Sequence, residues 1–447
     1  MIHLSVRLIL LTVVVFASSS AAAATGTKDA AKVDAAVKSA LDWLVRHQSP
    51  DGSWSSEEHK GWQQNANRDT VAGVDLKTGF FGHDVGVTGL ALLAFVADGH
   101  THKSNTQHSP VVSSALAWLL GQQAVTAADD KHHGFFGLAP YQTPKRPPGK
   151  SDKKRVLDSV AYDHAIATIA ACELLLLTKD KERLAKPIEL ALDYVFRAQK
   201  LRDAKKIRGW KYRYQGGKSD TSVTAWMCHA LAAGKRCADA ELIAWDEAAW
   251  KKAKSSALLW FDEVISKQTK KSGYQFPGDP GSVLHRVWKD PYPFTKRQYA
   301  MCAVNAAARL ALGQTKSNRH VKSQLRLVGF ELPEWILHQE GRFKPPRQKK
   351  PNPKKPKITK RKGKWSYNES KICYYYWYYG TLATAKSGIG WKKWQKALHK
   401  AVIGNQRQGG AEKGSWDNVG EWSPVGGRVY NTALLALTLQ ITPPTKK

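Results

Sequence analysis

One repeated pattern constrains the fold of this chain more than any other feature. Six times along its 447 residues, an apolar stretch with helical spacing is followed by a turn containing glycine and an aromatic residue, and then by a second apolar stretch. The first copy contains Gln48, Gly52 and Trp54, and the last contains Gly414 and Trp416. Repeats of this length stack into arrays or closed rings, because one unit cannot bury its apolar face alone. We therefore predict one continuous domain.

The two apolar stretches of each repeat differ in character. The first carries charges on one face, whereas the second is apolar or small on all sides, as in residues 88–94. A helix that is apolar all round is buried on every side. The sequence therefore predicts an all-α fold, an α/α toroid of about six helical hairpins over residues 28–441. The predicted outer and inner helices are 33–48 with 84–97, 111–123 with 162–177, 187–199 with 220–233, 247–267 with 295–312, 321–338 with 374–385, and 391–406 with 429–441.

The first 24 residues have the organisation of a cleaved secretory signal. Arg7 precedes an apolar run at 8–16, and a small-residue stretch follows at 17–24. An uncleaved N-terminal anchor is the alternative. Export to the periplasm or cell envelope is expected, with no transmembrane helix after signal cleavage.

The chain is strongly basic, with a formal net charge of +32 at pH 7. Eleven Lys or Arg and no acid fall within residues 344–364, inside a Pro/Lys-rich loop predicted at 343–366. This charge favours an anionic envelope component, such as an acidic glycan or lipid headgroup, as a partner of 344–364. A plain solvated linker is the alternative for the insert. Export argues against nucleic acid.

Five widely spaced cysteines indicate neither a zinc site nor a disulfide scaffold. Cys172, Cys228 and Cys302 lie in apolar helical stretches, which is typical of buried thiols. An exported protein can also form a disulfide, but the spacing assigns no pairing.

The segment Gln48…Asp51-Gly52-Ser53-Trp54 resembles the repeat of squalene and terpenoid cyclases and of protein prenyltransferase β-subunits. The similarity extends over residues 30–441 and identifies an exported bacterial repeat protein of that superfamily. It implies an aromatic central cavity that binds an isoprenoid-like or other elongated ligand. Two departures leave enzymatic activity open. Of the cyclase Asp-x-Asp-Asp motif only Asp220 is present, and the zinc ligands of the transferases have no counterpart.

Three acids start equivalent inner helices: Asp84, Asp163 and Asp220. Because inner helices of a toroid open on one face, we expect these carboxylates to surround one mouth, with His164 beside them. Neighbouring carboxylates raise one another's pKa and create a general acid. Helix capping is the alternative for each Asp. His164 is a candidate proton shuttle or, with His83, Asp84 and Asp163, a metal ligand, or else a core histidine. We predict no bound metal and no cofactor.

A second set of candidates supplies aromatic faces and one cation for ligand binding. Ordinary core packing is the alternative for these rings. The candidates are Arg428, Tyr375, Tyr376, Trp226, Trp210 and Trp416.

The leading hypothesis is therefore an exported toroid that binds, and in a catalytic version converts, a hydrophobic or polymeric ligand in its central cavity. A non-catalytic scaffold of the cell envelope is one alternative. The other is an acidic-polysaccharide lyase or hydrolase on the same fold, in which Arg428 neutralises a uronate and an Asp acts as the base.

Overall fold

The computed structural model describes residues 28–56, 70–71, 74–75, 82–137, 160–199, 201–202, 206–212, 214–279, 299–336, 372–420 and 422–444. The predicted signal at 1–24 and the predicted basic loop at 343–366 lie outside the described residues.

Twelve helices in the described residues alternate between an outer and an inner ring, which confirms the predicted α/α toroid. The outer helices are α1 (Lys28–Arg46), α3 (Ser109–Gly121), α5 (Lys181–Ala198), α7 (Glu247–Glu263), α9 (Arg319–Val328) and α11 (Trp391–Ile403). The inner helices are α2 (Asp84–Ala97), α4 (Ala161–Thr178), α6 (Thr221–Asp239), α8 (Ala300–Ala311), α10 (Tyr374–Ser387) and α12 (Ser423–Gln440). Two short antiparallel ladders were not predicted: β1 (Thr70–Val71) with β2 (Val74–Asp75), and β3 (Leu201–Arg202) with β4 (Lys206–Ile207).

The inner ring is closed. Each inner helix packs against two others, in the order α2, α4, α6, α8, α10, α12 and back to α2. Small residues allow close approach: a Cβ on Gly89 would lie 3.2 Å from the backbone nitrogen of Ala167 on α4. Every residue of α2 from Val85 to Ala97 is buried, as the apolar composition of this helix requires.

The outer helices pack differently from the prediction. We paired each outer helix with the inner helix that follows it, but each packs more extensively against the inner helix that precedes it, as α3 does on α2 and α5 on α4. Helix α1 completes the pattern by packing on α12. The short connections explain this, because they join each inner helix to the next outer one.

Some helix ends also differ from the prediction. Helix α5 begins at Lys181 rather than at Pro187, because Leu184 and Ile188 extend one buried stripe across the proline. Helix α9 ends at Val328, well before residue 338. Helix α12 begins at Ser423 and contains a break at Gly427, where φ is 67° and ψ is −166°.

One described helix, α4, is long and apolar enough to cross a bilayer by length and composition alone. The sequence analysis predicted no such segment after the signal. Its apolar window is 78% buried within the toroid, which is the environment of a core helix.

Long and short connections lie at opposite ends of the ring. Those that enter the inner helices span 47–83, 122–160, 199–220, 264–299, 329–373 and 404–422. Each is longer than every connection at the other end, where 98–108 is the longest. The inner-helix N-termini therefore lie at the end with the longest connections, whose residues are available to form a functional site.

Candidate functional site

The repeated Gln-Gly-Trp pattern has a structural role. Gln48 donates from Nε2 to the backbone oxygens of Gly52 in its own turn and Val111 at the next outer helix, both at 2.9 Å. Gln123, Gln199 and Gln406 make equivalent pairs of bonds. Each turn is thus joined to the neighbouring repeat.

The tryptophans of these turns hold each turn against the preceding outer helix of the same repeat. Trp54, Trp210 and Trp416 donate from Nε1 to Leu44, Val195 and Val402, each at 2.8 Å. We predicted Trp210 and Trp416 as ligand-binding residues. Both are fully buried with their indole N–H groups in use, so the structure removes them from the candidate set.

His164 faces outward from the ring. Its Nδ1 accepts from the backbone N–H of Phe136 at 2.9 Å, and its Nε2 lies 3.2 Å from the backbone oxygen of Ala191. Burial lowers the pKa of His164 to about 3, so the ring is neutral and Nε2 is the donor. With both nitrogens occupied, His164 has the environment of a core histidine, the alternative that the sequence analysis left open beside a proton shuttle and a metal ligand. Among the described residues no group of three or more His, Cys, Asp or Glu could hold a metal ion.

Asp163 and Asp84 lie on neighbouring inner helices at the expected mouth. Asp163 is buried and accepts from His83 Nδ1, with Oδ2 at 3.0 Å. Burial raises the pKa of Asp163, although His83 opposes the rise. Burial, the largest single effect, would lower the pKa of His83, but the charge and hydrogen bond of Asp163 together with the charge of Asp84 outweigh it and raise that pKa. Asp84 accepts from the backbone N–H and the hydroxyl of Ser56 at 2.7 and 2.9 Å.

Arg428 and Tyr376, both predicted to bind ligand, are used within the fold. The buried Arg428 donates from Nη1 to Ser415 Oγ at 3.0 Å and to Asp417 Oδ1 at 3.1 Å. Tyr376 donates to the backbone oxygens of Val328 and Glu331. Both side chains therefore bond within the fold, and ligand binding by either of them stays a prediction.

Asp220 is different from the other acids. It caps α6: Oδ1 accepts from the backbone N–H groups of Ser222 at 2.9 Å and Val223 at 3.1 Å, and from Ser222 Oγ. Its Oδ2 is buried and has no hydrogen-bond partner in the described part of the chain. Burial raises the pKa of Asp220 from 3.8 to about 6. The cause is desolvation rather than the neighbouring carboxylates that the sequence analysis invoked.

Tyrosines surround this carboxyl group, and we call Asp220, Ser222, Tyr162, Tyr375 and Tyr379 the Asp220 cluster. The Tyr162 hydroxyl lies 2.6 Å from Ser222 Oγ. Burial, and then the charge of Asp220, raise the pKa of Tyr375 well above 10. The hydroxyls of Tyr375 and Tyr379 are buried and interact with each other, and neither makes a hydrogen bond of good geometry in the described residues. The cluster therefore holds one acid that can exchange a proton near neutral pH and a pair of hydroxyls that interact with each other.

Further along the ring axis, aromatic side chains fill the interior. Trp226 on α6 stacks on Tyr378 of α10, with ring centroids 5.6 Å apart and an interplanar angle of 13°. Tyr379 packs edge-on against both Trp226 and His229. Trp226, which we predicted as a ligand-binding residue, thus has its face covered by Tyr378.

The sequence analysis missed Ser222, Tyr162 and Tyr379 as members of this site. Ser222 follows Asp220 at the helix start, where hydroxyl residues bond to capping carboxylates, and that signal was available. Tyr162 and Tyr379 are brought to the cluster by tertiary packing, which one sequence does not reveal.

The described residues define an α/α toroid with the Asp220 cluster at the N-terminal ends of its inner helices. No family model matches the chain, and no curated protein matches it. Its fold is similar to that of a GH76 α-mannanase from Bacteroides thetaiotaomicron, with a TM-score of 0.51 and 10% identity, covering 91% of this chain and 94% of that one. It is also similar to the GH76A α-1,6-mannanase from Salegentibacter sp. HEL1_6, with a TM-score of 0.50 and 10% identity, covering 91% and 98%.

These similarities overturn the predicted family. The solved structures that share the fold are glycoside hydrolases, and membership of the squalene-cyclase and prenyltransferase superfamily, with its isoprenoid ligand, was a wrong prediction. The repeated turns that suggested it are explained by packing between helices. At 10% identity the comparison shows the α/α toroid fold and no more.

Proposed function

We propose that the protein is an exported carbohydrate-active enzyme that cleaves a polysaccharide, with Asp220 as the proton donor. One observation carries the proposal: Asp220 has a free, buried Oδ2, and burial raises its pKa to about 6. A carboxylic acid with that pKa is partly protonated near neutral pH and can protonate a leaving glycosidic oxygen. The shared fold of the GH76 hydrolases supports the same reaction class.

The other residues have roles that follow from their positions. Glycosidic hydrolysis normally uses two carboxyl groups, and we assign the second to Asp163 on the adjacent inner helix. The hydroxyls of Tyr375 and Tyr379, which interact with each other, would bind sugar hydroxyls or carboxylates. Because Asp220 is fully buried, the polymer must enter by displacing side chains at the inner-helix N-termini.

The charge of the chain favours an anionic polymer. A net charge of +32 attracts polyanions and accelerates their association. The similar hydrolases are named as α-mannanases, so a neutral α-mannan is the comparison substrate. We propose that a polyuronate or sulfated polysaccharide is cleaved in preference to it.

The decisive experiment measures product release from polyuronate, sulfated polysaccharide and α-1,6-mannan. Asp220→Asn keeps the capping oxygen but removes the proton donor, and should reduce kcat by about 10²–10⁴-fold. Asp246→Asn is the matched control, because Asp246 also caps a helix, α7, but at an exposed position. Equal activity of wild type and Asp220→Asn on a cleaved substrate would exclude Asp220 as the donor.

A non-catalytic polymer-binding scaffold is the second candidate, favoured by the packed interior. The stack of Trp226 on Tyr378 leaves these faces covered. Polysaccharide binding without any product release, unaffected by Asp220→Asn, would support this candidate and overturn the enzymatic one.

A further inference from the structure

Two cysteines meet in the C-terminal halves of adjacent inner helices. Cys172 lies on α4 and Cys237 on α6, and these two helices pack along one another. The Sγ atom of Cys237 lies 3.5 Å from the backbone oxygen of Cys172. Cys237 also contributes, after burial, to the raised pKa of the Cys172 thiol. Both residues are fully buried, so no other thiol can approach them in the folded protein.

We propose that Cys172 and Cys237 form a disulfide in the exported protein. The structure brings the pair together as thiols, and the predicted secretory signal takes the chain to a compartment where disulfides form. Cys228, on the same helix α6, is also fully buried, but burial alone raises its pKa and no thiol contributes. Cys228 therefore serves as a buried control on the same helix, and the contact that carries the proposal is the one from Cys237 Sγ to Cys172.

The bond forms by thiol–disulfide exchange with an external disulfide, such as oxidised glutathione or a protein disulfide. One cysteine thiolate attacks that disulfide and releases a thiol, and the second thiolate then displaces the other half. The two cysteines lose two protons and two electrons, and the external disulfide is reduced to two thiols.

This exchange must precede final packing. Burial raises the pKa of Cys172 well above its usual 9, and a buried protonated thiol reacts slowly. We therefore expect the disulfide to form during folding, whereas the folded reduced protein resists oxidation.

The consequence is a covalent link between the helices that present the candidate acids. Asp163 lies in the first turn of α4, and Asp220 caps α6. Cys172 and Cys237 are 65 residues apart in sequence, so the bond closes a long loop and restricts the unfolded chain strongly. The link holds α4 beside α6 without occupying the polar end of the ring.

Peptide mapping tests the pairing directly. The mature chain is expressed with export to an oxidising compartment, denatured with a thiol-trapping reagent and digested with trypsin without reduction. The expected product joins peptide 156–179, which contains Cys172, to peptide 237–251, which contains Cys237. Cys228 falls in the separate peptide 219–235, so the map distinguishes it. Complete alkylation of Cys172 and Cys237, or a link to Cys228, would overturn the proposal.

Thermal unfolding with and without reductant provides the second measurement. Because the buried bond is inaccessible in the folded protein, the comparison uses protein refolded with and without reductant. The reduced wild type should have a Tm lower on the order of 2–5 °C, whereas Cys172→Ala and Cys237→Ala should not respond. Cys228→Ala removes a buried thiol on α6 but should keep the response to reductant. A wild type whose Tm is the same after refolding with and without reductant would contradict the disulfide even if all three variants are less stable.

Discussion

Gln406 donates a hydrogen bond from Nε2 to the backbone oxygen of Ala36, which lies 370 residues earlier in the chain, at a distance of 2.8 Å. The same nitrogen donates to Gly414 at 2.8 Å. This is the bond pair that Gln48 makes between the first and second outer helices. The last repeat therefore contacts the first repeat in the same way that consecutive repeats contact each other, and this contact closes the ring.

Ring closure should depend on Gln406. Gln406→Ala leaves the buried oxygens of Ala36 and Gly414 without this donor, which should lower the free energy of unfolding by about 1–3 kcal/mol. Gln268→Ala makes the same change at an exposed position and should stay within about 0.5 kcal/mol of wild type. Denaturant titration measures both, and equal values for the two variants would refute the closure role.

A glycine at the same joint permits close contact between repeats. Gly414 has a φ of +96°, and a Cβ there would lie 2.0 Å from the backbone oxygen of Ser39. Gly388 has a φ of +75° with no atom within 4 Å of its would-be Cβ. Gly388→Ala should therefore cost about 1 kcal/mol from backbone strain alone. Gly414→Ala adds a steric clash and should cost clearly more in thermal unfolding; a smaller loss than Gly388→Ala would show that the contact relaxes freely.

Two adjacent tyrosines on α10 should respond oppositely to loss of the hydroxyl. Tyr376→Phe removes bonds to the backbone oxygens of Val328 and Glu331 and should lower the free energy of unfolding by about 1–2 kcal/mol. Tyr375→Phe removes a buried hydroxyl that interacts with the Tyr379 hydroxyl but makes no hydrogen bond of good geometry in the described residues, and should leave stability unchanged or higher. Under the proposed function, Tyr375→Phe alone should weaken polysaccharide binding. A clear loss of stability in Tyr375→Phe would reveal a bond that the structure does not contain.

Helical periodicity and glycine turns were enough to predict the toroid, because both are local signals. The inner helix α2, apolar on all sides, could have no other position. The sequence did not reveal which inner helix each outer helix packs on, since that depends on contacts between repeats. The sequence also did not show that Trp210 and Trp226 have different positions and contacts. Both are buried tryptophans beside glycine or small residues, but one donates to Val195 in a joint and the other faces the ring interior.

The acids illustrate the same limit. Asp84, Asp163 and Asp220 have equivalent positions in their repeats, yet their environments differ. Asp84 bonds to Ser56, and Asp163 bonds to His83. Only for Asp220 among these three does the structure combine full burial with an oxygen that has no partner in the described residues. Alignment of the repeats identifies the three equivalent positions that carry an acid. It does not show which acid is desolvated, because desolvation depends on the packed structure.

Solvation of Asp220 also makes stability depend on pH. The folded-state pKa, about 6, lies above the ordinary value of 3.8, so the folded protein binds the proton more tightly than the unfolded chain. This contribution to stability is fully present below about pH 4 and is lost as the pH rises through 6, a difference of about 3 kcal/mol.

Asp220→Asn cannot ionise, so the free energy of unfolding of wild type relative to this variant should fall by that amount between pH 4 and 7. Asp246→Asn, at the exposed cap of α7, controls for the loss of a capping carboxylate. A wild-type curve parallel to that of Asp220→Asn would place the Asp220 pKa near its ordinary value and remove the basis for its role as proton donor.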